Sequence, residues 1–210
     1  MCIRDRSDRL VQVDEHLEDE AILLALAATA YHAIDCFGLD RFPDLVVGHG
    51  TLGRLIARLV IALGGDAPTV WEKNPSRQSG SVGYQVIDSG DDARNDYSAI
   101  CDVSGDGSLL NEFIQRMQPG GSIVLAGFYD QPLSFNFAPA FIRESCIKIA
   151  AQWQTSDLDA VQALIKEEKL SLGGLISHRS SASAAAPAYR QAFGDTDCLK
   201  MVINWRTNNE

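Results

Sequence analysis

The sequence has no long hydrophobic run, no cluster of basic residues and no pair of cysteines at C-x-x-C spacing. Its most apolar stretch, 21–28, is far shorter than the roughly 20 residues that a membrane-spanning helix needs. The formal net charge of -10 repels nucleic acid and anionic membrane surfaces, and no basic run offsets it. We therefore predict no transmembrane segment and no nucleic-acid partner.

The cysteines are scattered, and none lies near a histidine at the spacing of a zinc site. They are Cys2, Cys36, Cys101, Cys146 and Cys198. Isolated cysteines are typical of reduced thiols in the cytoplasm, where structural disulfides are rare. The sequence therefore predicts a cytoplasmic protein with no metal site of its own.

Short apolar runs alternate with helical stretches from residue 44 onward. The runs predict strands at 44–47, 69–71, 85–87, 100–103, 122–126 and 146–150. Because each run is continuously apolar, the sheet is expected to be covered on both faces. Strands joined by helices form right-handed crossovers and a parallel sheet. The predicted fold is α/β, a Rossmann doubly wound sheet of six parallel strands.

The first predicted strand leads directly into a glycine-rich turn, Gly48-His49-Gly50-Thr51-Leu52-Gly53. A G-x-G-x-x-G pattern alone is weak evidence, but here a strand precedes it and an apolar helical stripe follows it. Gly50 would let the backbone approach a pyrophosphate, and Gly53 would let the helix pack closely on the strand. We predict that these six residues bind a dinucleotide, with the backbone of His49 mattering more than its ring. The alternative is a purely structural turn.

The second predicted strand ends at Glu72, nineteen positions after Gly53. An acidic residue at this place accepts hydrogen bonds from the adenosine ribose and repels a 2′-phosphate, so NAD is favoured over NADP. Lys73 and Arg77 temper that preference, because a nearby cation could accommodate a phosphate. The alternative interpretation of Glu72 is a solvated glutamate at a strand end.

Two further pairs of residues follow the fourth and fifth strands. Ser104-Gly105 and Gly127-Phe128 stand at the carboxyl ends of these strands, the edge over which ligands lie in open α/β sheets. We predict that Ser104, Gly127 and Phe128 line the nicotinamide half of the site. Ordinary strand-to-helix turns are equally compatible with these residues.

Segments in a characteristic order along the chain resemble the medium-chain alcohol dehydrogenases. They are 29–33, the glycine turn, Trp71-Glu72, 102–105, 121–127, 175–178, 188–190 and 199–202. The resemblance covers nearly everything from residue 8 onward. It implies oxidation of a secondary alcohol to a ketone with NAD as the hydride acceptor. It also implies that Thr29 lies at the nicotinamide end of the cofactor and that Arg77 approaches the adenosine ribose; a hydroxyl bonded back within its own helix is the other interpretation of Thr29.

Other segments are similar, within that family, to the members that act on a pigment in bacteriochlorophyll synthesis. They are 25–33, 47–50, 101–106, 125–129, 132–135 and 198–202. This similarity implies a small-molecule substrate of the bacteriochlorophyllide type, whose 1-hydroxyethyl group becomes an acetyl group. A medium-chain dehydrogenase with a different substrate is an alternative.

Both ends of the chain differ in character from its middle. Residues 1–6 fit nothing that follows, and 180–187 are interpreted as a small-residue linker before a helix at 187–193 and a strand at 199–205. In the family that the chain resembles, substrate and metal groups lie mainly in an N-terminal, GroES-like catalytic domain. We therefore expect a chain whose natural beginning is missing and which is inactive alone.

The expected domains follow from that resemblance: a non-native start and the end of the truncated catalytic domain at 1–18, an NAD-binding Rossmann domain at 19–171, and a returning segment of the catalytic domain at 172–210. The catalytic residues stay unassigned, because none of the four histidines is readable as the proton acceptor.

Two other classes of protein share the glycine turn. A non-catalytic dinucleotide-sensing module would not need residues 172–205 to rebuild a second domain. A methyltransferase that uses S-adenosylmethionine would end its sheet with an antiparallel strand, where we expect a sixth parallel one. An aromatic stretch, Tyr129, Phe135, Phe137 and Phe141, is interpreted as core or as a contact in a possible homo-oligomer rather than as a wall against a planar pigment.

Overall fold

The computed structural model describes residues 11–39 and 41–205. Residues 1–6, predicted to be a non-native start, therefore lie outside the described residues. The helices are α1 (Leu24–Asp35), α2 (Thr51–Ala62), α3 (Leu110–Arg116), α4 (Phe137–Ile142), α5 (Thr155–Lys166) and α6 (Ala185–Gly194). The strands are β1 (Leu45–Val47), β2 (Thr69–Trp71), β3 (Gln85–Ile87), β4 (Tyr97–Asp102), β5 (Met117–Leu125), β6 (Cys146–Ile149), β7 (His178–Ser181) and β8 (Met201–Asn204).

Six of the described strands form one sheet in the order β3-β2-β1-β4-β5-β6, and every pairing in it is parallel. The predicted doubly wound Rossmann sheet is thereby confirmed. The parallel pairing of β6 with β5 also contradicts the methyltransferase alternative, which needs an antiparallel strand at this edge.

The sheet lies between two apolar layers, and alternate residues of each strand supply them. Val46 joins the layer built with α1, α2 and α5, whereas Leu45 and Val47 join the layer built with α3. All three residues of β1 are buried, which explains why this strand is apolar throughout. The first layer contains a run of alanines from α1, so that helix packs closely on α2.

Residues 172–205, called the tail from here on, contain a separate sheet of two parallel strands. These strands are β7 and β8, and α6 joins them. The interpretation of 180–187 as a linker is wrong. This stretch contains the end of β7, a 3-10 turn at Ala182–Ala184 and the first residues of α6. Its alanines favour a helix, and Pro187 lies in the first turn of α6, where its missing N–H costs no hydrogen bond. The tail is therefore a β-α-β unit in its own right.

The glycine turn disfavours a side chain at two of its positions, through backbone strain and a tight contact at Gly48 and through a direct clash at Gly53. Gly48 has φ +100°, and a Cβ there would lie 3.2 Å from the backbone of Ser104. A Cβ on Gly53 would lie 1.8 Å from the carbonyl oxygen of Gly48. Gly50 differs, because a Cβ on it would meet nothing within 4 Å. The start of α2 can thus approach β1 only when Gly53 carries no side chain.

The Gly53→Ala substitution should therefore destabilise the fold by at least about 3 kcal/mol, since backbone atoms would have to move apart. Gly50→Ala is the matched control and should cost about 1 kcal/mol or less, because its Cβ enters open space. Urea unfolding followed by circular dichroism measures both. Equal stability of the two variants would contradict the packing described here.

Candidate functional site

A cavity of about 240 Å³ lies at the carboxyl ends of β1, β2 and β4, where the strand order of the sheet reverses. Five of the predicted site residues line it: Gly48, Gly50, Glu72, Arg77 and Ser104. Its other lining residues are Val47, Trp71, Lys73, Ser89, Val103, Asp106 and Leu109. This is the position at which open α/β sheets bind ligands.

The carboxylate of Glu72 joins the glycine turn to the end of β2. One carboxylate oxygen accepts the backbone N–H of His49 at 3.0 Å, and the other accepts the backbone N–H of Asn74 at 2.8 Å. The side chain is buried, so the interpretation of Glu72 as a solvated glutamate does not fit the structure. Each oxygen has a second lone pair that can accept a hydroxyl.

The ring of His49 is fully buried and makes two hydrogen bonds. Its Nδ1 lies 2.6 Å from the carbonyl oxygen of Arg77, and its Nε2 lies 2.8 Å from the hydroxyl of Tyr84. Because a carbonyl only accepts, Nδ1 carries the proton and Nε2 accepts from Tyr84. Burial, followed by the charge of Arg54, lowers the pKa of His49 from 6.5 to about 4. The sequence predicted that the backbone of His49 matters more than its ring; the structure shows that the ring also links two parts of the chain.

Arg54 was not predicted as a site residue, yet it holds the segment that carries Arg77. Its Nε donates to the carbonyl of His49 at 3.1 Å. The rest of its guanidinium donates to the carbonyls of Arg77, Ser79 and Gly80 at 2.8 to 3.1 Å. Burial lowers the pKa of this side chain from its ordinary value. The only sequence signal was a charged residue on a helix whose neighbouring positions are mostly apolar.

The tail contacts the glycine turn and the segment after β2. The hydroxyl of Thr51 donates to the carbonyl of Leu199 at 2.8 Å. Ser76 donates its hydroxyl to Asp197 at 2.5 Å, and Arg77 donates its Nε to the carbonyl of Thr196. Sequence reasoning missed these contacts, since nothing local to 196–199 indicates them.

The ends of β4 and β5 are joined by Asp102 and Tyr129. Asp102 accepts the hydroxyl of Tyr129 at 2.6 Å and the backbone N–H of Ser104 at 2.9 Å. Burial raises the pKa of Asp102 above its ordinary range. This pair places Ser104 on the cavity wall. Gly127 lies against Gly105, since a Cβ on it would be 3.0 Å from the Gly105 nitrogen.

Several predicted site residues lie outside the cavity. Phe128 is 92% exposed, and neither it nor Gly127 lines the cavity. Leu52 is partly buried and packs against the apolar layer of α1, α2 and α5. The hydroxyl of Thr29 donates to the carbonyl of Ala25 at 3.0 Å, the within-helix bond named above as its other interpretation.

Outside the cavity, His32 pairs with Asp157 at 3.1 Å, and that carboxylate also caps the start of α5. Among residues 11–39 and 41–205, no three His, Cys, Asp or Glu side chains are grouped so that they could hold a metal ion. Within the same ranges, no helix combines the length and the apolar character that crossing a bilayer requires.

Comparison with known proteins gives two similar curated sequences, and no family model matches the chain. The 2-desacetyl-2-hydroxyethyl bacteriochlorophyllide A dehydrogenase of Rhodobacter capsulatus is 52% identical over 200 residues, which are 95% of this chain and 63% of that protein. The protein of the same name from Cereibacter sphaeroides is 53% identical over 199 residues, 94% of this chain and 62% of its own length. The chain thus spans somewhat less than two thirds of these relatives.

Among solved structures, one from Escherichia coli CFT073 has the same fold. It is described as a short chain alcohol dehydrogenase (rspB) complexed with the cofactor NADH. The TM-score is 0.78 at 18% identity, and the match covers 93% of this chain and 62% of that one. At this identity the likeness shows the fold alone.

The pKa of His49 gives the folded protein a testable pH dependence. Between pH 6.5 and about 4 the unfolded chain binds a proton at His49 that the folded chain does not. Folding stability is therefore fully present above pH 6.5 and decreases as the pH falls toward 4. The contribution of His49 to this loss should be about 2 kcal/mol between pH 7 and pH 5.

Urea unfolding at both pH values measures this dependence. His49→Phe should lack the loss of folding stability that His49 causes between pH 7 and pH 5. His16→Gln, at an exposed histidine, should lose as much stability as the wild type. The assignment fails if His49→Phe and the wild type lose the same stability between the two pH values.

Proposed function

We propose that this chain belongs to the medium-chain dehydrogenase family and forms the nicotinamide-dinucleotide site of an enzyme that oxidises a secondary alcohol to a ketone. The observation that carries the proposal is the glycine turn at the cavity, with Gly48 and Gly50 on its wall and the start of α2 beside them. Backbone N–H groups at a helix N-terminus attract the phosphates of a dinucleotide.

The residues around the cavity fit such a cofactor. Gly50 leaves open space where a Cβ would stand, so a diphosphate can approach the backbone of the turn. Glu72 lies in the cavity wall, and its free lone pairs can accept the hydroxyls of the adenosine ribose. When bound, a nicotinamide dinucleotide supplies the hydride acceptor.

The other predicted residues complete the proposed site. Ser104 would face the nicotinamide half from the end of β4, and Gly127 and Phe128 would border it from the loop after β5. Thr29 would lie at the nicotinamide end. His49, Thr51, Leu52 and Gly53 would shape the phosphate turn.

Three features at and near Glu72 support NAD rather than NADP. The carboxylate itself would repel a 2′-phosphate. Ser76 and Arg77, which could otherwise bind that phosphate, are engaged by the tail at Asp197 and Thr196. Lys73 is exposed and lies 3.4 Å from Asp106, so its charge is partly compensated.

The names of the curated relatives support a pigment substrate. We propose a bacteriochlorophyllide whose 1-hydroxyethyl group becomes an acetyl group, a step of bacteriochlorophyll synthesis. The C–H hydride of the alcohol passes to the nicotinamide ring, and its O–H proton passes to a base. His49 is not that base, because both ring nitrogens are already hydrogen-bonded within the buried turn.

The tail favours a dehydrogenase over a non-catalytic sensing module. It forms its own β-α-β unit and leaves Tyr189, Phe193 and Trp205 exposed beside a cavity of about 410 Å³. We propose that 172–210 belongs to a second domain, with 19–171 as the cofactor domain and the residues up to 18 as part of that second domain. A sensing module would not need such a unit.

The preference for NAD is tested with Glu72→Gln. We expect the wild-type chain to bind NADH saturably and more tightly than NADPH, and the ratio of the two affinities to fall roughly tenfold in Glu72→Gln, because the repulsive charge is gone. Fluorescence titration of each reduced nucleotide measures both affinities.

Two matched variants complete this titration. Glu167→Gln, at an exposed helix end, should leave both affinities unchanged. Gly50→Ala should weaken both nucleotides equally, because its Cβ would occupy the diphosphate position. Absence of saturable NADH binding by the wild type would contradict the proposed cofactor; equal loss of both nucleotides in Glu72→Gln would contradict the role of that residue.

The substrate is tested with the full-length protein. NAD reduction should be at least tenfold faster, as kcat/KM, with the hydroxyethyl pigment than with simple secondary alcohols, since a site shaped for a macrocycle binds it over a large area. Turnover of simple alcohols alone would contradict the pigment and leave the dehydrogenase class intact.

A further inference from the structure

We propose that the ring of His49 is a positioning group for the adenosine half of the cofactor site. It acts by holding the segment that carries Arg77 against the glycine turn. The inference rests on the proposed function, because it assigns a role within that same site. It assigns His49 no contact with the reacting atoms.

The ring connects the two sides of the adenosine half. Its own backbone belongs to the turn, where its N–H is donated to Glu72 at 3.0 Å. Its Nδ1–H is donated to the carbonyl of Arg77 at 2.6 Å, and its Nε2 accepts the hydroxyl of Tyr84 at 2.8 Å. One side chain therefore links the turn, the segment after β2 and the approach to β3.

The segment 78–83 depends on a few polar contacts, among them the bonds from Arg54 to the carbonyls of Ser79 and Gly80. Residues 79–83 are exposed, and Gly80 and Gly83 both have positive φ. Exposed, glycine-bearing backbone gains little from apolar burial and loses much conformational entropy when it is ordered. At its two ends lie the Arg77 carbonyl, bound by His49 and Arg54, and the buried side chain of Tyr84, whose hydroxyl is donated to His49.

The ring can make both bonds only in its neutral form. The charged or titratable groups that face it are Arg54 and Arg58 from α2, Glu72 from the end of β2, Arg77 from the segment after it, and Tyr84. Burial and the two α2 arginines disfavour a charged ring, so at neutral pH Nε2 keeps the lone pair that accepts Tyr84. Burial likewise raises the pKa of Tyr84, which keeps its hydroxyl protonated.

The consequence for a ligand is confined to one half of the cavity. Arg77, whose carbonyl the ring binds, and Glu72, which accepts the backbone N–H of His49, both line the cavity at the end of β2. Ser104, on the opposite side, is instead held by Asp102, which the ring does not contact. Loss of the ring bonds should therefore weaken the adenosine half of a dinucleotide and spare its nicotinamide half.

The test uses the chain with Tyr84→Phe, which removes one hydroxyl, and with His49→Asn and His49→Phe. Asparagine can still donate toward the Arg77 carbonyl, whereas phenylalanine can neither donate to Arg77 nor accept from Tyr84. Tyr189→Phe, at an exposed tyrosine of α6, is the matched control. The probes are NADH, ADP-ribose and reduced nicotinamide mononucleotide, each titrated separately.

We expect Tyr84→Phe to weaken NADH and ADP-ribose by the same factor, roughly fivefold, as the loss of one hydrogen bond implies. His49→Phe should weaken both at least tenfold, with His49→Asn in between. The mononucleotide should bind all variants within about twofold of the wild type. Without ligand, hydrogen exchange of the amides in 78–83 should be faster in Tyr84→Phe and unchanged in Tyr189→Phe.

Two results would overturn the positioning role. One is unchanged ADP-ribose binding in Tyr84→Phe and in His49→Asn; the other is an equal loss for ADP-ribose and the mononucleotide, which would show general damage to the fold. Both are distinct from failure of the proposed function, in which the wild type itself binds neither NADH nor ADP-ribose. If His49→Phe does not fold, the comparison of Tyr84→Phe with Tyr189→Phe decides whether the ring has the positioning role.

Discussion

The candidate site depends on the close approach of the start of α2 to the end of β1. That approach requires Gly53 to carry no side chain, because its Cβ position is already occupied by the carbonyl of Gly48. Once it is made, the N-terminus of α2 points over the carboxyl edge of the sheet. Thr51 then reaches the tail, and Arg54 reaches the segment after β2. A single missing methyl group thus determines where the phosphate turn, the cavity and its anchors lie.

The sheet and the turn could be predicted from the sequence because their signals are local. A buried parallel strand is apolar on both faces, so a run such as 45–47 is visible without knowledge of its neighbours. The glycine spacing is equally local, since strand, turn and helix follow one another directly. Glu72 was found by its distance along the chain from the turn, which a βαβ unit holds nearly constant.

The anchors of the site could not be predicted, since they join residues that only the fold brings together. The ring of His49 meets Tyr84 across 35 positions, and nothing near either residue indicates the partner. Arg54 looks like a surface residue of an amphipathic helix until the carbonyls it binds are known. The error at 180–187 has another cause: small residues suit a linker and a helix alike, and tertiary contacts decide between them.

The contact between Thr51 and Leu199 spans 148 positions, and the one between Ser76 and Asp197 spans 121. A ribosome makes the turn long before it makes its partners in the tail. The Rossmann layers can therefore assemble around β1 while the adenosine side of the cavity still lacks one of its borders. Closure of that border waits until residues 196–199 have emerged. Translation that stops before residue 196 would thus yield the sheet and the glycine turn without these tail contacts.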